Sequence, residues 1–130
     1  KVLTVGVFDL LHFGHFELFR RARELVDGDV HLTVAIQEDD CVVKYKPNVK
    51  LVYDWNTRAL MVRTLRTVDN VVSYRDISES IKKIDFDLWV VGGDQSHSGF
   101  VAAIEWARAN GKRVIRLART NGISSSQLRG

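Results

Sequence analysis

Two histidines stand three residues apart in the run Gly6-Val7-Phe8-Asp9-Leu10-Leu11-His12-Phe13-Gly14-His15. At that spacing both imidazoles can face one phosphate. Each can donate a hydrogen bond to an oxygen that gains charge in a transition state. A helix starting just after them would add unpaired N–H groups and a partial positive charge, which suit the same anion. Gly6 and Gly14 allow the backbone to come close to a ligand. A single histidine is more often a core or surface residue. Two around a glycine, at a strand-to-helix turn, favour an anion site. Zinc chemistry fits poorly, because only His31 and His97 remain and Cys41 is alone.

A second group lies at the far end, in Arg119-Thr120-Asn121-Gly122-Ile123-Ser124-Ser125-Ser126. Gly122 permits a left-handed turn and the serines can cap a new helix. Their hydroxyls and the N–H groups behind them can hold a triphosphate, and Arg119 adds a forked cation. Taken alone, the segment also reads as an ordinary capped loop. Between the two groups, Gly92-Gly93-Asp94 lets a base approach the backbone. Asp94 can accept from an exocyclic amine, which cytosine and adenine both carry. Lys44 and Lys46 by themselves read as solvated lysines of a loop. Arg58, Arg63 and Arg66 interrupt a helical pattern and are expected to face outward. Asp69 is expected to hold Arg66 by an ion pair. Asp9 either orients the site or caps its turn.

Short β-branched runs alternating with helical patterns must position these groups. Strands are expected at Val2-Leu3-Thr4-Val5, His31 to Ile36, Val71-Val72, Leu88 to Val91 and Val114 to Leu117. Apolar residues at Phe16, Leu18, Phe19, Ala22, Leu25 and Val26 have helical spacing, with Gly28 as the stop. Further helices are expected from Asp54 to Thr67, from Ile77 to Ile84 (opened by Ser78 or Asp76) and from Phe100 to Asn110, the last closed by Asn110-Gly111. Residues 37–52 show no period and are expected to form a loop. Strands separated by helices imply βαβ units and a parallel five-stranded sheet with helices on both faces. Ligands of such sheets sit beyond the carboxyl ends of the strands. The candidate groups follow the first, second, fourth and fifth strands, so four segments are expected to converge on one edge.

The 130 residues make one domain, 45% hydrophobic and 27% charged, with a formal net charge of +3. That charge suits a small polyanion and is too weak to argue for nucleic acid, since the basic residues are not interleaved with aromatics. A single cysteine excludes an internal disulfide and points to a reducing, cytoplasmic setting. No apolar run approaches the roughly 18 residues that span a membrane, so membrane insertion is not expected. The chain starts with Lys1 and stops where a helix is expected to begin, as a fragment of a longer polypeptide would.

The His-x-Gly-His motif within Gly-x-Phe-Asp-x-x-His-x-Gly-His, together with Arg119 to Ser126, resembles the paired signatures of the cytidylyltransferase family, in the same order and spanning nearly the whole domain. The resemblance implies a Rossmann-like fold and transfer of CMP from CTP to the phosphate or phosphonate of a small metabolite such as glycerol 3-phosphate. Pyrophosphate would leave, with Mg2+ accompanying the CTP and a homodimer as the assembly. It also implies roles. His12, His15, Lys44 and Arg119 are catalytic. Gly6, Val7, Phe8, Asp9, Gly14, Lys46, Gly92, Asp94, Thr120, Gly122, Ile123, Ser124 and Ser125 bind the nucleotide, and Lys44, Arg58 and Arg66 bind the acceptor. Two departures stand out. Val7 replaces a threonine usual in glycerol-phosphate enzymes, and Gly92-Gly93-Asp94 looks like the sugar-phosphate adenylyltransferase branch. The alternatives are therefore an ATP-dependent adenylyltransferase and a non-catalytic nucleotide-binding domain.

Overall fold

A computed structural model describes residues 1–45, 47–48, 50–92 and 98–117. In chain order the elements are β1 (Val2–Gly6), α1 (Phe13–Glu24), β2 (Leu32–Gln37), α2 (Asp39–Tyr45), α3 (Trp55–Arg63), β3 (Asn70–Tyr74), α4 (Ile77–Ser80) with a 3-10 turn at Ile81–Lys83, β4 (Leu88–Val91), α5 (Ser98–Ala109) and β5 (Arg113–Arg116). The five strands form one sheet in the order β3-β2-β1-β4-β5, and every pairing is parallel.

Alternation along the strands divides the core into two layers. Val2, Leu32, Val34, Ile36, Leu88 and Val90 pack on one face against Phe19 and Ala22 of α1 and Ala59 and Val62 of α3. Leu3, Val5, Ala35, Trp89 and Val91 pack on the other against Ile77 and Ile81 and against Phe100, Ala103, Ile104 and Ala107 of α5. Helices therefore cover both faces, which is why β2 is buried at every position and reads as an almost unbroken apolar run. The expected α/β Rossmann-like fold is the one observed.

Several boundaries move, each for a local reason. Helix α1 begins at Phe13 rather than Phe16, because the His12 side chain accepts from Gly14 N and acts as N-cap. Helix α3 starts on cue, with Asp54 capping Thr57 N. It ends early, where Thr64 Oγ1 donates to the Met61 carbonyl and the chain turns through Leu65. Strand β3 is longer than Val71-Val72, since β2 pairs with it from Thr33↔Asn70 to Gln37↔Tyr74. Asp76 caps α4, and Gly111 closes α5 with φ 77°. The expected loop at 37–52 instead contains α2, which buries Cys41 and Val42. About two turns are too short to show a period, so the sequence concealed it.

Candidate active site

The strand order places β1 at the switch point of the sheet. The chain runs outward from β1 through β2 to β3, then crosses to β4 on the other side. In parallel sheets the ligand crevice opens beyond the carboxyl ends of two such strands. The turn with the two histidines leaves β1 there, and Gly92 follows β4 there.

That turn is tightly built. Phe8 adopts φ 53°, in the left-handed region that costs a side-chain-bearing residue roughly 1–2 kcal/mol. The strain is held by packing. Phe8 is buried and meets His15 edge-on at 5.1 Å and Phe19 at 5.4 Å between ring centroids. Gly6 is required by this ring, because a Cβ on Gly6 would lie 2.8 Å from Phe8 Cζ.

The histidines are stacked, with ring centroids 3.9 Å apart and planes 23° from parallel. Gly14 N donates to His12 Nδ1 at 3.0 Å, and His12 N donates to His15 Nδ1 at 3.3 Å. A neutral imidazole that accepts at Nδ1 carries its proton on Nε2. The backbone thus selects the tautomer in which both rings present an N–H at Nε2. Burial first, then the neighbouring His12, lowers the His15 pKa to about 3. The ring is neutral at pH 7, so it can act as a hydrogen-bond donor at Nε2 but not as a cation.

Asp9 settles between its two expectations by reaching across the fold. Its buried carboxylate accepts from Val52 N at 2.8 Å and Tyr53 N at 2.9 Å. It ties the histidine turn to the segment that leads into α3. Arg58 is a correction. It does not lie on the outward face of α3 but is fully buried. Its Nη1 donates to the Val7 carbonyl at 2.9 Å, and its Nη2 pairs with Asp39. Asp69 is a second correction, because its partner is Arg23 (2.6 Å) and the Leu32 N–H (2.8 Å), not Arg66. Burial opposes ionisation of Asp69, yet those two donors hold its carboxyl below the usual range.

Lys44 lies exposed on the last turn of α2, and Arg66 is exposed in the turn after α3. Arg116, which no sequence motif singles out, donates to the Gly92 carbonyl at 3.1 Å at the carboxyl end of β5. Asp39 and Trp55 were also passed over. Asp39 accepts from Trp55 N at 3.3 Å, and the Trp55 indole donates to the Ile36 carbonyl at 2.9 Å. These two residues sit beside an open depression of about 380 Å³ lined also by Glu38, Asp40, Ser73 and Arg75. Lys46, Asp94, Arg119, Thr120, Gly122, Ile123, Ser124 and Ser125 lie outside the described residues. Among the described residues no cluster of three or more His, Cys, Asp or Glu could hold a metal ion, and no helix is long and apolar enough to cross a membrane.

The family model described as Cytidylyltransferase-like matches residues 3–130. A glycerol-3-phosphate cytidylyltransferase from Staphylococcus aureus is 35% identical over 99% of this chain and 92% of its own length. An FAD synthase from Korarchaeum cryptofilum is 32% identical over 98% of this chain and 88% of its own. The crystal structure of a lipopolysaccharide core biosynthesis protein from Thermoplasma volcanium superposes with a TM-score of 0.75 at 21% identity, covering 92% of this chain and 97% of that one. This last likeness is one of fold.

Proposed function

Because the chain belongs to the cytidylyltransferase-like family, a family of nucleotidyl-transferring enzymes, we propose that it transfers CMP from CTP to the phosphate or phosphonate oxygen of a small metabolite, with glycerol 3-phosphate as the first candidate. The observation that carries this reading is the stacked histidine pair, whose two Nε2–H groups belong to a turn at the switch point of the sheet.

An acceptor oxygen attacks the α-phosphorus of CTP in line. A new P–O bond forms, the bond from the α-phosphorus to the bridging oxygen breaks, and pyrophosphate carries that oxygen away. A phosphate monoester is largely dianionic at pH 7, its second pKa being about 6, so no general base is needed. Catalysis is then positioning and charge neutralisation. His12 and His15 donate to oxygens of the α-phosphate, where charge grows, and their neutrality keeps both as pre-set donors. Lys44 and Lys46 neutralise the β- and γ-phosphates or the acceptor, with Arg66 on the acceptor. Arg119 and the Thr120–Ser125 segment hold the triphosphate, Asp94 meets the amine of the base, and Gly92 gives it room. Asp9 and Arg58 shape the cradle from behind. The magnesium ion enters as part of the substrate, MgCTP. The donor set supports this, because the Asp9 carboxylate is engaged with two backbone N–H groups and the other assigned groups are mostly cations and imidazoles. A cytoplasmic homodimer belongs to the same proposal.

The experiment is an acceptor panel with CTP, read by pyrophosphate release and product mass, alongside thermal shift with CTP and ATP. CTP should give the larger shift, and the product should be a CDP-linked ester. The His15→Ala protein should stay folded and turn over at least about a hundredfold more slowly, from loss of one transition-state donor. Near-normal turnover in that variant would end the assignment of the pair. Larger stabilisation by ATP would favour the alternative, an adenylyltransferase, which the likeness to an FAD synthase supports.

A further inference from the structure

We propose that Arg58 and Asp39 are positioning residues that hold α2, and with it Lys44, in register with the His12/His15 turn. The proposal rests on the reading that Lys44 and the histidines act on the same nucleotide.

A fully buried guanidinium is an expensive choice for a core. Apolar side chains of the same volume usually serve stability as well or better, so a retained charge calls for a geometric purpose. The contacts show one. Arg58 reaches from α3 to two other segments at once. Its Nη1 donates to the carbonyl of Val7, the residue just before the left-handed Phe8. Its Nη2 pairs with Asp39, the first residue of α2. Arg58 Nε is buried and has no partner among the described residues, so the side chain is held by its fork alone. The other Asp39 oxygen accepts from Trp55 N, and the Trp55 indole donates to Ile36 O at the end of β2.

A planar fork fixes direction as well as distance, which an ammonium does not. One side chain therefore sets the start of α2 against the turn that carries the histidines. Lys44 is five residues beyond Asp39 on the same short helix, so its base lies roughly 7–8 Å along a rigid rod from the clamped end. Tilting the rod at Asp39 would move Lys44 relative to His12 and His15. Asp9 adds a second tie, from the turn to Val52 and Tyr53 on the far side of the same excursion. Arg58 itself has no exposed surface with which to meet a substrate.

The test replaces the ion pair without leaving a buried charge alone, using Arg58→Met together with Asp39→Asn, and Arg58→Met by itself as the simpler companion, which leaves only the half-exposed Asp39 carboxylate. Each is made with Lys44 intact and with Lys44→Ala. Folding is checked by near-ultraviolet circular dichroism and by melting, and kinetics are run well below the melting temperature. The folded charge-free pair should lose at least about tenfold in kcat/KM, as expected for a displaced catalytic group. In the Lys44→Ala background the same substitutions should cost less than about twofold more, because the group they position is gone. A folded charge-free pair with normal kcat/KM overturns the proposal, and so do losses that simply multiply in the two backgrounds. If neither pair variant folds, Arg58 and Asp39 are structural in the ordinary sense and the proposal fails. Near-normal turnover of the Lys44→Ala single variant would instead remove the premise about Lys44, a result separable from the others.

Discussion

The neutrality of His15 has a consequence for stability. In the unfolded chain its imidazole takes a proton near pH 6.5, whereas in the folded protein burial and His12 hold that pKa at about 3. Between these values the unfolded state binds the extra proton, so stability is fully present above about pH 6.5 and falls as the pH drops toward 3. Urea unfolding at pH 7 and pH 4.5 reads this directly. The His15→Asn protein, with no ionisable group there, should lose less stability over that interval than the native protein. Equal losses in the two proteins would show that His15 protonates normally in the fold. Together with His12, the same residue explains why α1 starts where it does. Histidine is not a common cap, and the reciprocal bonds between residues 12 and 15 take the place of the usual serine–glutamate pair.

Among the elements, the β1–α1 turn carries the most constraint. Gly6, Phe8 and His15 form a column in which the ring of Phe8 occupies the space that a Gly6 side chain would need. The ring cannot withdraw, since it is buried between His15 and Phe19. Gly6→Ala should therefore destabilise by about 1–3 kcal/mol, as overpacking does, and should lower kcat by displacing His15. A urea midpoint and a kinetic assay on the same preparation check both. An unchanged midpoint would mean that the turn has slack that its packing does not suggest. Helix α2 shows the opposite case. It is short, it rests on Cys41 and Val42, and its first two residues are held by ion pairs, Asp39 with Arg58 and Asp40 with Arg75.

Among the described residues, both faces of the sheet are given over to packing, and the histidine turn and Gly92 lie beyond the carboxyl ends of β1 and β4. The chain carries a net charge of +3, and Lys44 and Arg66 are exposed. Attraction of a solvent-facing cradle for a polyanion is screened by salt, with a Debye length of about 10 Å at 0.1 M and about 3 Å at 1 M. Raising the salt from 0.05 to 0.5 M should therefore raise the KM for the nucleotide several-fold and change kcat less, because the histidine donors are partly buried neutral groups. A salt-independent KM would argue that the exposed cations do not face the phosphates.

Apolar periodicity by itself determined the parallel sheet and the strand positions to within two residues, because burial on a period of 2.0 or 3.6 is written locally. Residues 110 and 111 likewise announced the end of α5, since a left-handed cap favours glycine. Only the tertiary structure decided the polar pairings. Arg58 looked like an outward charge because helical spacing counts a guanidinium as surface, yet its partners lie 51 and 19 residues away. Asp69 chose Arg23, 46 residues back, over Arg66, three residues before it. Hydrogen bonds between distant segments leave no periodic trace in either one, so the strands and helices were legible and the polar ties that hold them were not.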